Sequence, residues 1–226
     1  MQKTVPTPRR LYLVLAVLLL GGCGHTPITR TVFDALPWFG KPVDNLKLNA
    51  NLRYLRVTVD ARVSLMVLGY IEPDPAGPIE TWYSQEGEVI RLQNGRIAAT
   101  SGLTTDWRAV RNYSLPGWKD MVERQTIVYG RERDEMPGYR FGIKESISLY
   151  RANVPPSAKL VNLPTNALRW YEETVVGQPA GLPSARFGLQ VKDGAPRVVY
   201  SEQCLAQDLC LTWQTWPATS VPTLID

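Results

Sequence analysis

The chain has a single histidine among its 226 residues, His25. It lies near the start, two residues after Cys23, and is badly placed to serve a site inside a folded domain. Histidine-based catalytic triads and histidine-dominated metal centres are thereby excluded as working readings. Cysteine is scarce too: Cys23, Cys204 and Cys210 complete the set. Their spacing offers no zinc site, because a pair of sulfurs needs two further sulfur or imidazole ligands. No glycine-rich phosphate loop of the usual spacing is present, so no cofactor is expected. No apolar run is long enough to cross a membrane as a helix. The candidate is Leu11–Leu20, and ten residues of helix reach only ~15 Å, about half a bilayer core.

That short run has a different use. Lys3, Arg9 and Arg10 precede it, and Leu20-Gly21-Gly22-Cys23 closes it. A basic segment, an apolar segment and small residues before a cut describe a removable secretory signal. The cysteine directly after the small residues makes it a lipobox. Its thiol takes up a diacylglyceryl group as a thioether, and the amine freed by cleavage can take a further acyl chain such as palmitate. Two acyl chains suffice for stable anchoring. Residues 1–22 are therefore expected to be the signal, with Cys23 the lipidated first residue and 23–32 a tether. Residues 33–226 are expected to form one β-rich periplasmic domain. Gly24, where inner-membrane lipoproteins often carry aspartate, points to the outer membrane.

Removing the signal also removes the apparent basicity. The whole chain has 25 Lys and Arg against 21 Asp and Glu. Three of those bases and no acid lie in residues 1–22, which leaves 22 against 21, or +1. Nucleic-acid binding needs a dense basic face, and a near-neutral chain argues against it. With Cys23 assigned to lipid, Cys204 and Cys210 remain as an even pair in an oxidising compartment. They flank Leu205–Leu209, with strand-like VVYSEQ before and LTWQTW after. A disulfide closing a hairpin loop is the expectation.

The rest of the chain reads as short strands with turn punctuation. Leu52–Asp60 alternates, placing Leu55, Val57 and Val59 on one face. Ser64–Glu72 is a denser apolar run, suited to a strand buried on both faces. Strands follow at Thr81–Ser84, Val89–Gln93 and Arg96–Thr100, with Asn94-Gly95 the strongest two-residue hairpin signal. Leu103–Val110 reads as a helix capped by Thr104 or Thr105, and residues 31–39 as a brief helix or turn. Further strands are expected at Val122–Arg131, Tyr139–Arg151, Lys159–Leu163, Ala167–Val176, Ala185–Val191, Arg197–Glu202 and Leu211–Trp216. The pattern predicts a mainly β fold, an antiparallel sandwich or partly open barrel of about ten strands with one or two short helices.

Glu80–Leu103, ETWYSQEGEVIRLQNGRIAATSGL, resembles the YjbF/GfcB family of lipoproteins from exopolysaccharide and group 4 capsule operons. The resemblance rests on a Trp-Tyr-Ser strand, an acidic glycine turn, an apolar strand and an Asn-Gly-Arg hairpin leading to Thr-x-Gly-Leu. SLMVLGYIE before it and Arg169-Trp170-Tyr171-Glu172 after it are compatible. The resemblance implies a partly open antiparallel barrel and carries no catalytic residue onto this chain. The cysteine pair lies outside its pattern.

Carboxylates cluster at Glu86/Glu88, Glu172/Glu173 and Glu132/Asp134/Glu135. A glycosidase needs two acids facing each other across a sugar, ~5–10 Å apart, and nothing in these spacings shows that. Solvated turns and strand faces account for them better, so no catalytic residue is expected. Aromatics are the more suggestive feature. Sugar C–H faces stack on exposed indoles, although most tryptophans of a β protein fill its core. Neighbours in a strand face opposite ways, so one of Trp82/Tyr83 and one of Trp170/Tyr171 is a candidate surface contact for glycan or partner. The expected function is a lipid-anchored, non-enzymatic lipoprotein of the outer membrane, facing the periplasm and assisting exopolysaccharide or capsule production or export. Its expected partners are the membrane, through the anchor, and polysaccharide or polysaccharide-export proteins. The alternatives are a carrier of lipid or lipid-linked glycan in an open-barrel cavity and, behind it, a glycan-modifying enzyme.

Overall fold

Alternation that turns Leu55 and Val57 into the core and Arg56 and Thr58 away from it makes β1 (Tyr54–Val59) the first strand of the sheet. The computed structural model describes residues 43–177 and 181–218. The signal, Cys23, the tether and the helix or turn expected over 31–39 lie outside the described residues. β1 pairs with β2 (Arg62–Glu72), and β3 (Ile79–Ser84), β4 (Val89–Gln93) and β5 (Arg96–Ser101) continue the meander. The turn between β4 and β5 is Asn94-Gly95, both at positive φ, 53° and 82°, as its hairpin chemistry requires. β6 (Asp106–Tyr113) and the short helix α1 (Trp118–Glu123) follow. Then come β7 (Thr126–Met136), β8 (Arg140–Ala152), β9 (Arg169–Val175), β10 (Ala185–Lys192), β11 (Ala195–Ala206) and β12 (Leu209–Trp216).

All twelve strands form one antiparallel sheet, because β12 pairs with β1 and brings the two halves of the meander together. The sheet is a nearly closed barrel. Its edge strands, β5 and β6, lie side by side without a ladder. Closure removes sheet edges that would otherwise invite pairing with other chains. Side chains complete the seam. The Ile97 N–H donates to Gln203 Oε1 at 2.9 Å, and Gln203 Nε2 donates to the Gly95 carbonyl at 3.0 Å. One amide from β11 thus answers β5 as a partner strand would. The Trp107 indole of β6 donates to the Leu205 carbonyl at 3.0 Å.

The helix expected over Leu103–Val110 is instead the turn into β6 and the strand itself. Thr104-Thr105-Asp106 resembles a helix cap. The Asp106 carboxylate, however, accepts the N–H groups of Gly102 and Leu103 behind it, at 3.0 and 3.3 Å. It closes a turn and starts no helix. The Trp107 N–H then donates to Thr100 Oγ1 at 3.0 Å across the seam. The helix that does form is α1. It inserts Trp118 and Met121 into the core, where Trp118 meets Tyr171 and Phe187 at 5.6 and 5.3 Å between ring centroids.

The strand expected at Lys159–Leu163 is absent for a related reason. Residues 153–168 run as a strap over the outer face of β9, β11 and β12, held by side chains. The Val161 N–H donates to Gln214 Oε1 at 2.9 Å, and Gln214 Nε2 returns a bond to the Val161 carbonyl at 2.8 Å. The Lys159 N–H donates to the Tyr200 hydroxyl at 3.2 Å. Beneath the strap lies a second apolar cluster of Leu163, Leu168, Trp170, Val199 and Tyr200. β2 is buried on both faces only over Leu65–Val67; Tyr70 and Ile71 at its far end are half exposed.

Two buried tyrosines give the fold an alkaline limit. Burial, more than any neighbour, pushes the hydroxyls of Tyr129 and Tyr200 well above their ordinary value of 10.0. Nearby Glu173 and Glu202 push the same way. The folded state therefore holds these protons after the unfolded chain begins to release them. Stability should be intact below about pH 10 and fall as the pH rises beyond it. Urea midpoints measured from pH 8 to 11 should drop only in the upper part of that range.

Candidate functional site

The sequence-chosen aromatics do not form a surface platform. Trp82 is 1 % exposed and belongs to the main core. Tyr83, its outward neighbour, is half-buried because its ring lies across Gly69. A Cβ there would come within 2.5 Å of the ring. Trp170 and Tyr171 point to opposite faces as the pleat demands, yet both are buried. Tyr171 enters the barrel core and Trp170 lies under the 153–168 strap, edge-on to Tyr200 at 5.6 Å. The expectation that one of this pair offers an exposed contact is corrected. The strap on the outer face covers Trp170.

Cys204 and Cys210 face each other as a cross-strand pair and are joined through their sulfurs, with 3.9 Å between Cα atoms. The strands run on past them, so Leu205–Leu209 is not a loop. Leu205 is fully buried, and the turn itself is Gln207-Asp208. Replacing both cysteines with serine should lower the unfolding free energy by about 2 kcal/mol, the chain-entropy value for so short a loop. Thiol labelling of the unreduced protein should find no free sulfhydryl at either position.

The carboxylate groups are each answered by arginine. Glu86 and Glu88 share Arg62, at 2.7 and 2.8 Å. Glu132 and Asp134 share Arg111, at 3.4 and 3.7 Å. Glu135 pairs with Arg133 and Arg140. Glu172 faces outward to Arg186 at 3.2 Å, while Glu173 faces into the barrel and meets Arg96 at 2.7 Å. Arg131 and Arg133 both reach Glu145, at 2.8 and 3.2 Å, and each guanidinium lies 5.0 Å from the centre of the Trp107 ring. The barrel interior is thus part hydrocarbon and part ion-pair lattice. Among the described residues no three His, Cys, Asp or Glu side chains come together to hold a metal ion.

One cavity stands out, at the end of the barrel that carries α1. It measures about 160 Å³ and gathers residues from the starts of β1, β3 and β11, the β4–β5 turn, α1 and the end of β12. Leu55, Val198, Trp118 and Trp213 give it apolar walls, and Glu80, Arg197 and Thr215 add polar groups. Glu80 is held by Arg53 at 2.6 Å, whose guanidinium lies 5.6 Å from the centre of the Trp82 ring. The Trp118 indole donates to the Asn94 carbonyl at 2.8 Å. Trp213 is buried, and its indole N–H has no hydrogen-bond partner among the described residues. Sequence reasoning placed Trp213 in a strand but did not find this cavity. Its walls come from six separate stretches of chain, and no local spacing reveals that.

Residues 46–211 match the family described as "Group 4 capsule polysaccharide lipoprotein gfcB, YjbF". No curated protein matches the sequence. Among solved structures, the fold is similar to that of the hypothetical lipoprotein YmcC from Escherichia coli (K12). The TM-score is 0.55 at 14% identity, covering 97% of this chain and 100% of that one.

Proposed function

The chain belongs to the YjbF family of group 4 capsule polysaccharide lipoproteins, and from that membership we propose that it serves capsule or exopolysaccharide production as a non-catalytic binding protein. In this reading Cys23 carries the lipid, the outer membrane holds the anchor and the barrel faces the periplasm. It binds glycan or an export-machine protein there. The family match over residues 46–211 carries the reading. Two features support the absence of catalysis. The acidic groups that a glycan-cleaving enzyme would use are engaged by arginines, and the lone histidine lies beside the anchor cysteine. The carrier alternative asks for a long apolar cavity. Sites for drug-sized ligands begin at roughly 300 Å³, and the α1-end cavity, at about 160 Å³, is too small for an acyl chain.

Deletion of the gene tests the proposal. Surface or secreted polysaccharide should change in amount or length, with no loss of glycan-cleaving activity. Purified protein that hydrolyses or modifies the polysaccharide would overturn it. So would a deletion strain with unchanged polysaccharide while the operon is expressed. Pull-down of the anchored protein, with and without purified polysaccharide, identifies what it binds.

A further inference from the structure

Charge is divided unequally between the two ends of the barrel. At the α1 end, Lys119, Arg124, Arg151, Arg169, Lys192 and Arg197 are exposed and have no ion-pair partner among the described residues. Two acids of this end, Glu72 and Glu80, are held by Arg91 and Arg53. Asp74, Asp120, Glu123 and Asp193 are outnumbered, so the end is net positive. Three of the arginines gather where α1 meets β8 and β9. Arg124 closes α1. Arg151 follows Leu149 on the inward face of β8, and Arg169 precedes Tyr171 on the inward face of β9. The Arg151 N–H donates to the Gln125 carbonyl at 3.2 Å, tying the end of β8 to the residue after Arg124. Burial pushes the Tyr171 hydroxyl up while Arg151 and Arg169 pull it down, so both guanidinium groups lie near it. The opposite end is acidic. Asp60, Asp106 and Asp208 stand at its turns, and Glu86 and Glu88 share the single Arg62, at 2.7 and 2.8 Å. Its cations without an ion-pair partner among the described residues are Arg108 and Lys144. A negatively charged surface therefore attracts one end and repels the other.

An anchor at Cys23 keeps such a surface within reach. Residues 23–42 precede the first described residue, and a chain of that length spans at most ~70 Å. That length sets no orientation for the barrel, and the charges do. We propose that the α1 end docks on anionic phospholipid headgroups, with Arg124, Arg151 and Arg169 pairing with their phosphates and the acidic end turned away from the bilayer. Guanidinium groups suit this task, because their planar fork matches phosphate oxygens two at a time. The proposal rests on the lipid anchor at Cys23 given above and adds the face by which the barrel itself meets the membrane.

The test uses the protein purified from membranes and reconstituted into vesicles of phosphatidylethanolamine and phosphatidylglycerol. One added cysteine carries a bimane label. Ala195→Cys places it in the β10–β11 turn at the α1 end, and Ala61→Cys in the β1–β2 turn at the other; both positions are exposed. A nitroxide on the lipid headgroup should quench the label at Ala195→Cys and spare the one at Ala61→Cys. The difference should vanish in vesicles of phosphatidylcholine alone. It should also vanish on raising the salt from ~0.15 M to ~1 M, which shortens the screening length from about 8 to about 3 Å. Each basic side chain at an anionic surface contributes roughly fivefold in binding. Arg124→Ser, Arg151→Ser and Arg169→Ser together should therefore lower the docked-to-undocked ratio on the order of 100-fold, with the far-UV spectrum unchanged. Arg108→Ser with Lys144→Ser, at the acidic end, should not lower it. Equal quenching at the two positions, stronger quenching at Ala61→Cys, or quenching that survives the triple variant would overturn the docking face. So would capture of acidic polysaccharide by this face without quenching, which would assign it to glycan. The mass of the N-terminus separates this failure from that of the anchor. An acylated Cys23 with equal quenching removes the face and leaves the anchor. An unacylated Cys23 removes the anchor, and binding of that chain from solution to the same vesicles then decides the face.

Discussion

Glu173→Ala is expected to lower the unfolding free energy by about 3–5 kcal/mol, the cost of removing one partner of a buried ion pair. Arg96 and Glu173 are 6 % and 4 % exposed at the side chain and meet at 2.7 Å. They lie 77 residues apart in sequence and join β5 to β9 through the barrel interior. The guanidinium is also wedged against aromatic rings, 3.9 Å from the centre of Trp118 and 5.2 Å from that of Phe187. Without the carboxylate it cannot swing out to water, so it stays buried, charged and unpaired. For a chain of this size each kcal/mol corresponds to roughly 2–4 °C in Tm, so the melting point should fall by roughly 6–20 °C. Arg96→Met together with Glu173→Leu removes both charges and keeps comparable volume, and it should recover most of the loss. Urea unfolding followed by far-UV circular dichroism measures both variants against the parent. A single variant within 1 kcal/mol of the parent would show that the pair is not sealed from solvent.

The barrel was legible where local chemistry and tertiary structure agree. β1 alternates because one face is core, and Asn94-Gly95 turns the chain because both residues accept positive φ. The pairing of Cys204 with Cys210 follows the same logic, since two strands already bring the residues opposite each other. Legibility failed where a distant partner reverses a local preference. Thr104-Thr105-Asp106 carries cap chemistry, but its carboxylate serves the seam between β5 and β6. Lys159–Leu163 has strand composition, but its hydrogen bonds go to Gln214 and Tyr200 side chains. Alternation sends Trp170 and Tyr171 to opposite faces without saying which is outward, and in the barrel it is Trp170. What the alternation cannot reveal is that residues 153–168 cover it. The ion-pair lattice is hidden for the same reason. Arg131, Arg133 and Glu135 alternate like any solvated strand face, and only the closed sheet shows that this face is the interior.

Cys23→Ser is expected to block lipid anchoring altogether and to leave unprocessed or mislocalised precursor. Serine lacks the thiol on which a thioether would form, so the proposed lipobox Leu20-Gly21-Gly22-Cys23 would be left with a residue that cannot be modified. The chain has little else with which to hold a membrane by helix. Leu11–Leu20 is about half the length required, and no helix among the described residues is long and apolar enough to cross. Each buried methylene of the lipid contributes ~0.8 kcal/mol, and two acyl chains make attachment stable where one gives only marginal, reversible binding. Loss of the diacylglyceryl group should therefore move the protein out of the washed membrane fraction, or leave it as unprocessed precursor with the signal still attached. The barrel should fold normally if recovered, because its core begins at β1, well after the tether. Mass spectrometry of the parent protein should find an N-terminal acylated Cys23, and the variant should show neither cleavage before residue 23 nor added lipid. An unmodified parent chain that begins elsewhere would sink the lipoprotein anchor at Cys23, and with it the outer-membrane placement on which the proposed function depends.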